Sequence, residues 1–411
     1  MEDIMAFQKI GVGVIGCGAI SKTYLDNLSE RFSIIHIVGV ADLIEERAQK
    51  AAEKYHCKVM TNEEIYSDPE ISIVVNLTNV WSHYEVSKAA LEHGKHVYSE
   101  KMMAENFCRA KELYDLAQKK GVRFALAPDT FLGGGIQTCR KIIDDGFIGK
   151  PFAVTAAIVR SYLPDSVSPE GNNIFSEGGT IPFDMGGYYI HAMQNLFGAV
   201  KRVSGFCTYL PKKWSNPGNI RYGEDLTLDS PNLMQASLEF ECGVLGNLLA
   251  GDYGMSEMDK NFVGPGLYVY GTAGTLYVPD PNTFGGPVKI LKSFEFVELP
   301  LSHGFSGENP FLDPGEARDF WDSSYRGVGI ADMAWAITND RPQRISNEMG
   351  LHTIEIIHGV EKACTSGQYY EMTTHPRRPV ALRSGFTGAD AEEVFNDRFG
   401  YDFDAEPAWK W

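Results

Sequence analysis

The feature that most constrains this chain is a run of apolar residues that ends in a glycine turn and opens onto a segment of helical period. The run covers residues 9–15, and the turn carries Gly16 and Gly18. Two linked phosphates approach a helix N-terminus only where the turn lacks side chains, so the pattern predicts a dinucleotide site. We expect Gly16, Gly18 and the next two residues, Ala19 and Ile20, to contact the cofactor.

A literal G-x-G-x-x-G match also occurs, but it lies too early to form the turn. It falls on Gly11, Gly13 and Gly16, and the first two of these stand inside the apolar run. A buried strand and a tight turn cannot occupy the same residues. We therefore assign the phosphate turn to Gly16 and Gly18, with Ser21 where a third glycine would stand.

Length, charge and cysteine usage set the broad class. The 411 residues suit two domains, and 44% hydrophobic with 22% charged residues is typical of a globular protein. A net charge of -17 argues against nucleic acid and anionic membranes as partners, because binding phosphates requires a basic patch. The sequence shows no export signal and no long apolar segment, so no membrane span is expected. The seven cysteines are scattered and never spaced C-x-x-C, which favours a reduced, cytoplasmic location.

Short apolar runs alternate with helical periods through the first 127 residues. Strands are expected at 9–15, 34–41, 57–60, 72–77, 96–100 and 123–127, and helices at about 19–30, 44–55, 81–93 and 106–120. Repeated βα units predict an α/β fold of the Rossmann type, a doubly wound parallel sheet covered on both faces. We place this domain at 1–128 and a second domain at 129–411.

After residue 150 the pattern changes to the alternation typical of antiparallel strands. Strands are expected at 152–160, 236–240, 244–250, 267–270 and 274–278, and helices at about 327–339 and 348–365. The second domain is therefore predicted to be α+β, with a large, open, mainly antiparallel sheet. The open sheet face and an aromatic tail over 374–411 favour a homo-oligomer, a dimer or tetramer.

Polar residues follow two of the predicted strands at the carboxyl edge of the first sheet. Asp42 ends the second strand, where an acid accepts hydrogen bonds from the adenosine ribose and repels a 2′-phosphate, so NAD is favoured over NADP. Alternatively, Asp42 caps the helix that starts near Ile44. Thr78 and Asn79 follow the fourth strand and are candidates for pyrophosphate or ribose contacts, with a plain helix N-cap as the alternative.

The fifth strand delivers Glu100 and Lys101 to the same edge. A lysine beside a nicotinamide stabilises a developing alkoxide as ammonium, or accepts the hydroxyl proton if burial lowers its pKa. A solvated lysine at a strand end is the alternative.

A glycine-rich segment over 178–198 supplies further candidates. If Asp184 opens a helix, then Asp184, Tyr188 and His191 stand at i, i+4 and i+7 and share one face. Gly186 and Gly187 would weaken that helix unless something flat, such as a nicotinamide ring, presses against it. A buried structural histidine is the alternative interpretation of His191.

Together these segments resemble the Gfo/Idh/MocA family of oxidoreductases over most of the chain. The matching features, in order, are the glycine turn, Thr78-Asn79 with His83, Gly94 to Val97 with Glu100-Lys101, the Asp184 segment, and Gly329-Ile-Ala-Asp-Met-Ala followed by Arg341-Pro342. The resemblance implies a Rossmann domain, a second α/β domain with an open antiparallel sheet, bound NAD(P), and hydride exchange with sugars, cyclitols or related polyols. It also implies that Lys101 is the lysine of a Glu-Lys-Pro motif and that Asp184 is a substrate-site acid. Under it we count His83 and Glu100 among the cofactor residues.

The chain departs from the family pattern at two points. Met102 stands where the motif has a proline that often follows a cis bond. The usual family histidine lies four residues after the aspartate, where this chain has Tyr188, while His191 stands where many members carry Asp or Asn. Some members have tyrosine at the first position, so Lys101 is expected to work with either Tyr188 or His191, and the choice between them is open.

Three further residues are candidates for polyol contacts. Arg160 and Tyr162 end the first strand of the second domain, and His303 lies in a glycine-flanked loop, with a structural or merely exposed role as the alternative for each. No metal site is expected, because His93 and His96 straddle a turn without acidic or cysteine partners.

The sequence therefore predicts an NAD-dependent oxidoreductase that exchanges hydride with a secondary ring hydroxyl of a sugar, glycoside or cyclitol. Two alternatives stay open: a glycosidase that uses bound NAD for transient C3 oxidation followed by elimination, and an NAD-binding protein without catalysis. The residues expected to contact substrate are Lys101, Arg160, Asp184, Tyr188 and His191.

Overall fold

Two β-sheets organise the chain in the computed structural model. The structure describes residues 8–160, 177–214, 217–252, 266–303 and 324–384. The first sheet has six parallel strands in the order β3-β2-β1-β4-β5-β6. Its strands are β1 (Ile10–Ile15), β2 (Ile35–Ala41), β3 (Lys58–Val59), β4 (Ile73–Asn76), β5 (His96–Ser99) and β6 (Phe124–Leu126), and the helices between them are α1 (Ser21–Glu30), α2 (Glu45–Tyr55), α3 (Asn62–Ser67), α4 (Val80–Glu92) and α5 (Phe107–Lys120).

Burial on both faces explains the apolar runs of the first sheet. All four residues of β4 and five of the six in β1 are buried, as expected for parallel strands covered by helices. The strand order reverses between β1 and β4, and ligands of doubly wound sheets bind in the crevice that this reversal opens at the carboxyl ends of the strands. The predicted Rossmann fold is confirmed.

The two early glycines serve the packing of β1 and not a turn. A Cβ on Gly11 would lie 2.0 Å from the carbonyl oxygen of Glu70, and one on Gly13 would lie 2.7 Å from the Ile65 side chain of α3. These distances leave room for hydrogen only, so α3 and the segment after it approach the strand closely at both glycines.

The second sheet has nine strands in the order β14-β13-β12-β11-β7-β10-β9-β8-β15. Neighbouring strands are antiparallel except β7 and β10, which are parallel, so the predicted open and mainly antiparallel sheet is confirmed. Its strands are β7 (Pro151–Val159), β8 (Val200–Thr208), β9 (Leu233–Phe240), β10 (Leu245–Gly251), β11 (Gly266–Gly271), β12 (Gly274–Val278), β13 (Val288–Lys292), β14 (Glu295–Leu299) and β15 (Tyr370–Glu371).

Helices cover one face of this sheet and connect it to the first. They are α6 (Gly134–Asp144), α7 (Ile181–Asp184), α8 (Gly186–Phe197), α9 (Val328–Thr338) and α10 (Asn347–Ser366), with a 3-10 turn at Thr130–Leu132. Every residue of α8 is buried. Helix α10 packs on β8 of the second sheet and on α5 and β6 of the first, where a Cβ on Gly350 would lie 1.9 Å from the Leu126 side chain. The two sheets therefore share one continuous hydrophobic core.

Several elements were not predicted from the sequence. β8 carries Lys201, Arg202 and Gly205, which interrupt the alternation of apolar residues, and β13 and β14 form a hairpin whose side chains are mostly exposed. Without a buried face, a strand has no strong period in its sequence. The aromatic residues of the tail from Phe386 onward lie outside the described residues. Among the described helices, none is long and apolar enough to cross a membrane.

One buried carboxylate anchors α9 to the segment before α10. Asp332 accepts hydrogen bonds from Arg341 Nη2 at 2.8 Å and from Arg344 Nη1 at 2.6 Å, and its second oxygen accepts from the Arg344 backbone N–H at 2.6 Å. Burial alone would raise the pKa of this carboxyl, but the two guanidinium groups outweigh it and lower the pKa.

We predict that Asp332→Ala destabilises the protein by about 3 to 5 kcal/mol, because it removes a buried carboxylate that two buried guanidinium groups contact. Since the folded pKa of Asp332 is lowered, its contribution is present above the ordinary carboxyl pKa and is lost as pH falls. Thermal and urea unfolding measure both effects. Asp115→Ala, at an exposed aspartate of α5, is the control and should change stability little; equal losses in the two variants would contradict the prediction.

Candidate active site

The glycine turn after β1 has the geometry of a phosphate-binding turn. Gly16 has φ +102°, and a Cβ there would lie 2.7 Å from the carbonyl group of Leu77, so only glycine fits. Gly18 faces open space, and no atom of another described segment lies within 4 Å of a Cβ built on it. Helix α1 has no side-chain N-cap, and within the described residues the N–H groups of Gly18, Ala19 and Ile20 have no hydrogen-bond partner. These donors are available to an anion at the helix N-terminus.

Asp42 lies beside this turn at the end of β2. One carboxylate oxygen accepts from the Cys17 N–H at 2.6 Å, and the other accepts from the Ile44 N–H at 2.8 Å. The N-cap residue of α2 is Ile44, and no side chain caps that helix. Asp42 therefore fixes the glycine turn against β2 and presents a half-buried carboxylate where a ribose would lie, which fits a dinucleotide.

The loop after β4 lies opposite the turn. Thr78 donates its hydroxyl to the Asn76 side chain at 2.7 Å, and Asn79 occupies the N-cap position of α4 without a capping hydrogen bond from its side chain. The ring nitrogens of buried His83 lie 3.0 Å from the Thr78 carbonyl oxygen and 2.6 Å from that of Met102. Burial lowers the pKa of His83, so the neutral ring donates to one of these carbonyls. His83 thus connects the loop after β4 to the loop after β5 through its buried ring.

Lys101 lies between the two domains and contacts the second one directly. Its ammonium forms an ion pair with Asp184 and lies 5.4 Å from the centre of the Tyr188 ring. Burial acts to lower the pKa of Lys101, but the charge of Asp184, together with Tyr188 and Glu100, outweighs it and raises the pKa. The structure therefore favours the ammonium role of Lys101, and the alternative of a lysine base with a lowered pKa is wrong.

The backbone around Lys101 is held by its neighbour. Glu100 accepts from the Tyr24 hydroxyl of α1 at 2.6 Å and from the Lys101 N–H at 3.1 Å. It is 7% exposed, so its contacts are with protein. The peptide bond between Lys101 and Met102 is cis, at the position where the family pattern carries proline.

The segment expected to be one helix is two. Helix α7 ends at Asp184, Met185 interrupts it, and α8 starts at Gly186, so the single stripe expected from i, i+4, i+7 spacing is wrong. Tyr188 lies beside Lys101, but His191 Nδ1 lies 3.1 Å from the Pro128 carbonyl oxygen. Burial lowers the pKa of His191 to about 4. The structure therefore brings Lys101, Asp184 and Tyr188 together and places His191 in the core.

The glycines of this segment face protein side chains. A Cβ on Gly186 would lie 3.9 Å from Ala250, and one on Gly187 would lie 3.8 Å from the Met102 sulfur, both ordinary contact distances. Neither glycine is therefore required by a close approach of these protein atoms, and contact with a flat cofactor ring stays a prediction.

The sequence analysis missed Arg326, which stands just before α9. Its Nη2 donates to the Tyr188 hydroxyl at 2.9 Å and to Asn282 Oδ1 at 3.3 Å, and the residue is 4% exposed. The only sequence signal was a charged residue at the start of an apolar helix, which is too common to single it out.

The remaining candidates divide between the site and the core. Arg160 Nη1 lies 3.6 Å from the sulfur of Met185, next to Asp184, so Arg160 borders the site. His303 is 1% exposed, with its ring nitrogens 2.9 Å from Ser302 Oγ and 3.0 Å from the Leu382 carbonyl oxygen, which is a structural position. Tyr162 lies outside the described residues. No three His, Cys, Asp or Glu side chains within the described ranges are arranged to hold a metal ion.

Comparison with known families agrees with this geometry. Residues 10–127 match the oxidoreductase family with an NAD-binding Rossmann fold, and residues 136–277 match the GFO/IDH/MocA C-terminal domain. The chain belongs to the Gfo/Idh/MocA oxidoreductase family.

Its similar proteins include sugar and inositol dehydrogenases. An inositol 2-dehydrogenase/D-chiro-inositol 3-dehydrogenase of Lactiplantibacillus plantarum is 31% identical over 34% of this chain and 41% of its own length. A D-xylose dehydrogenase of Paenarthrobacter nicotinovorans is 23% identical over 42% of this chain and 47% of its own. The chain thus spans less than half the length of these curated relatives.

Solved structures share the fold over most of this chain. A levoglucosan dehydrogenase in complex with NADH and levoglucosan has a TM-score of 0.73 at 17% identity, covering 89% of this chain and 100% of that one. An NAD-binding oxidoreductase from Klebsiella pneumoniae has a TM-score of 0.73 at 21% identity, covering 89% and 99%.

We predict that Gly18→Ala weakens NADH binding at least about tenfold, because its methyl group would occupy the space in front of the α1 N-terminus. The unfolding temperature without ligand should stay close to that of the unchanged protein, since the methyl group meets no protein atom. Fluorescence titration with NADH and thermal unfolding measure the two effects. Gly274→Ala, at a glycine of β12 where a Cβ would meet only ordinary contacts of 3.7 Å or more, controls for ligand binding; an unchanged NADH affinity in Gly18→Ala would remove the turn from the site.

Proposed function

We propose that this protein is an NAD-dependent oxidoreductase that exchanges hydride with a secondary ring hydroxyl of a sugar, glycoside or cyclitol. The observation that carries the proposal is the cluster of Lys101, Asp184 and Tyr188 at the carboxyl edge of the first sheet. This cluster lies on the edge that also carries the glycine turn and Asp42, where doubly wound folds bind their ligands. The names of the inositol, xylose and levoglucosan dehydrogenases support a polyol substrate.

The cofactor residues we propose fit a dinucleotide. Gly16, Gly18 and the N–H groups that follow would hold the pyrophosphate, Asp42 the adenosine ribose, and the loop of Thr78 and Asn79 the neighbouring ribose. When bound, NAD supplies the hydride acceptor at the nicotinamide ring. The carboxylate of Asp42 supports NAD over NADP, since a 2′-phosphate would meet a like charge.

Lys101 and Tyr188 have different roles at the substrate hydroxyl. The ammonium of Lys101 donates to the substrate oxygen and stabilises the negative charge that develops on it as hydride leaves the carbon. Tyr188 accepts the hydroxyl proton as a phenolate, so the alcohol loses a hydride to the cofactor and a proton to the protein. Asp184 holds the ammonium in place beside the substrate.

The choice of Tyr188 over His191 as proton carrier rests on position. Tyr188 lies beside Lys101, whereas His191 is turned to the Pro128 carbonyl in the core. A group that moves the substrate proton must lie within hydrogen-bond reach of it.

We also propose that the protein is a homo-oligomer that pairs through the second sheet. Exposed apolar residues stand on its strands, where a partner subunit would cover them. They include Phe152 on β7, Phe206 on β8, Leu245 on β10 and Phe296 on β14.

We predict that Lys101→Ala lowers turnover by about 10² or more and leaves the NADH dissociation constant unchanged. The assay follows absorbance at 340 nm with a panel of sugars, glycosides and cyclitols, together with release of the aglycone. Lys111→Ala, at an exposed lysine of α5, is the matched control and should keep full turnover. Near-normal turnover in Lys101→Ala would reject the assigned role.

The same panel separates the alternatives in the unchanged protein. Aglycone release without net formation of NADH would replace the dehydrogenase with a glycosidase that recycles its cofactor. Absence of both signals with every polyol, although NADH binds, would indicate a binding protein without catalysis.

We predict that Asp42→Ser shifts the ratio of NAD to NADP efficiency toward NADP by about tenfold or more, because a like charge near the 2′-phosphate is removed. Initial rates with each cofactor, at saturating polyol, give the ratio. Asp115→Ser, an exposed aspartate of α5, should leave it unchanged. A constant ratio in Asp42→Ser would show that another group selects the cofactor.

A further inference from the structure

Arg326 is a buried cation that the proposed chemistry does not yet use. It is 4% exposed and lies between the two sheets, immediately before α9. Its Nε and Nη1 groups are buried and have no hydrogen-bond partner in the described part of the chain. Keeping a guanidinium incompletely bonded in a protein interior is unfavourable, and such groups concentrate at functional sites.

The hydrogen bond between Arg326 and Tyr188 has a fixed direction. A guanidinium has no acceptor, so Nη2 must donate to the phenol oxygen of Tyr188 at 2.9 Å. The guanidinium carbon also lies 5.5 Å from the centre of the Tyr188 ring. Since its oxygen accepts from Arg326, the phenol must direct its own proton elsewhere.

Both domains hold Arg326 in this position. The Asn27 side chain of α1 donates to the carbonyl oxygens of Ser324 and Arg326, each at 2.8 Å. Asp129 accepts from the N–H groups of Gly327 at 2.8 Å and Gly329 at 3.1 Å. Asn27 and Asp129 thus fix the backbone immediately before and after Arg326.

The charges around the phenol come from three segments. Burial raises the pKa of Tyr188, Arg326 and Lys101 oppose this rise, and Glu100 and Asp184 add to it. Of the two cations, Arg326 has the larger effect. The groups facing Arg326 itself are Tyr24 of α1, Tyr98 of β5, Glu100 and Asp129.

We propose that Arg326 is a positioning residue for Tyr188: it holds the phenol oxygen as a hydrogen-bond acceptor, directs the phenol proton toward the substrate oxygen, and stabilises the phenolate. This inference rests on the proposed function only for its predicted effect on the pH profile of polyol oxidation. The balance of the proton step is unchanged, because the substrate proton still goes to the Tyr188 oxygen and Arg326 keeps all of its protons.

The test measures ionisation of the phenol at position 188 without a substrate. A difluorotyrosine, whose phenol is more acidic than that of tyrosine, replaces Tyr188 in the full chain, and fluorine NMR follows its titration. In Arg326→Gln the midpoint should rise by about one pH unit or more, since a cation hydrogen-bonded to the phenolate is lost. Arg221→Gln, at an exposed arginine, should leave the midpoint unchanged.

Kinetics with unsubstituted Tyr188 provide the second readout. Oxidation of a polyol should increase with pH as the phenolate forms, and Arg326→Gln should move this limb of the kcat profile to higher pH while the NADH dissociation constant stays the same. Arg326→Lys, which keeps the charge but not the planar donor, should shift the limb by less. A folded Arg326→Gln protein with an unmoved midpoint would overturn the proposal.

The outcomes separate this inference from the proposed function. A raised midpoint in a protein that oxidises no polyol supports the role of Arg326 and rejects the dehydrogenase. If Arg326→Gln does not fold, Arg326→Met decides, because it removes the charge and the donor but keeps a side chain of similar length. An unchanged midpoint in that variant would overturn the proposal, and a raised one supports it.

Discussion

The ion pair between Lys101 and Asp184 is the interaction on which the site depends. It joins the end of the first sheet to a helix of the second domain, and both side chains are largely buried. A buried ion pair contributes little net stability, because the desolvation of two charges offsets their attraction. What it does here is electrostatic and geometric, since Asp184 keeps Lys101 charged and aims its ammonium across the cleft.

The loops that carry this pair are fixed by polar groups beneath them. His83 links the carbonyl groups of Thr78 and Met102, and Glu100 links the Lys101 backbone to Tyr24 of α1. Helix α1 also begins at the glycine turn, so the segment that would bind phosphates and the segment that carries the lysine are mechanically continuous. Lys101 is therefore held in position by the same helix whose N-terminus would bind the phosphates of a dinucleotide.

Sequence reasoning succeeded where the signal was local and failed where it was not. The apolar run, Gly16 and Gly18 specify a strand, a turn and a helix within a few residues, and their structure follows directly. Lys101 was found from its place at the end of the fifth predicted strand and Asp184 from the glycine-rich segment, and the order of family motifs supported both. Arg326 was missed because its partner Tyr188 lies 138 residues away, and no pattern in a single sequence reports such a contact.

The error over His191 has a related cause. Helical spacing places residues on one face only if the helix is continuous, and the break at Met185 separates Asp184 from the helix that carries Tyr188 and His191. A short helix that ends after four residues leaves no distinct period in the sequence.

Two cations lie on different sides of the Tyr188 phenol, and each has a separate role in the site. Lys101 contacts Asp184 and the ring of Tyr188, while Arg326 donates to the oxygen of that ring from the interior. A single cation could not donate hydrogen bonds in full both to the substrate oxygen and to the phenolate. With a cation for each, Lys101 stabilises the charge on the substrate oxygen as hydride leaves the carbon. Arg326 opposes the rise that burial causes in the pKa of Tyr188, whose phenolate accepts the proton. The buried guanidinium, unfavourable for folding by itself, is therefore best explained by the proton that Tyr188 must carry.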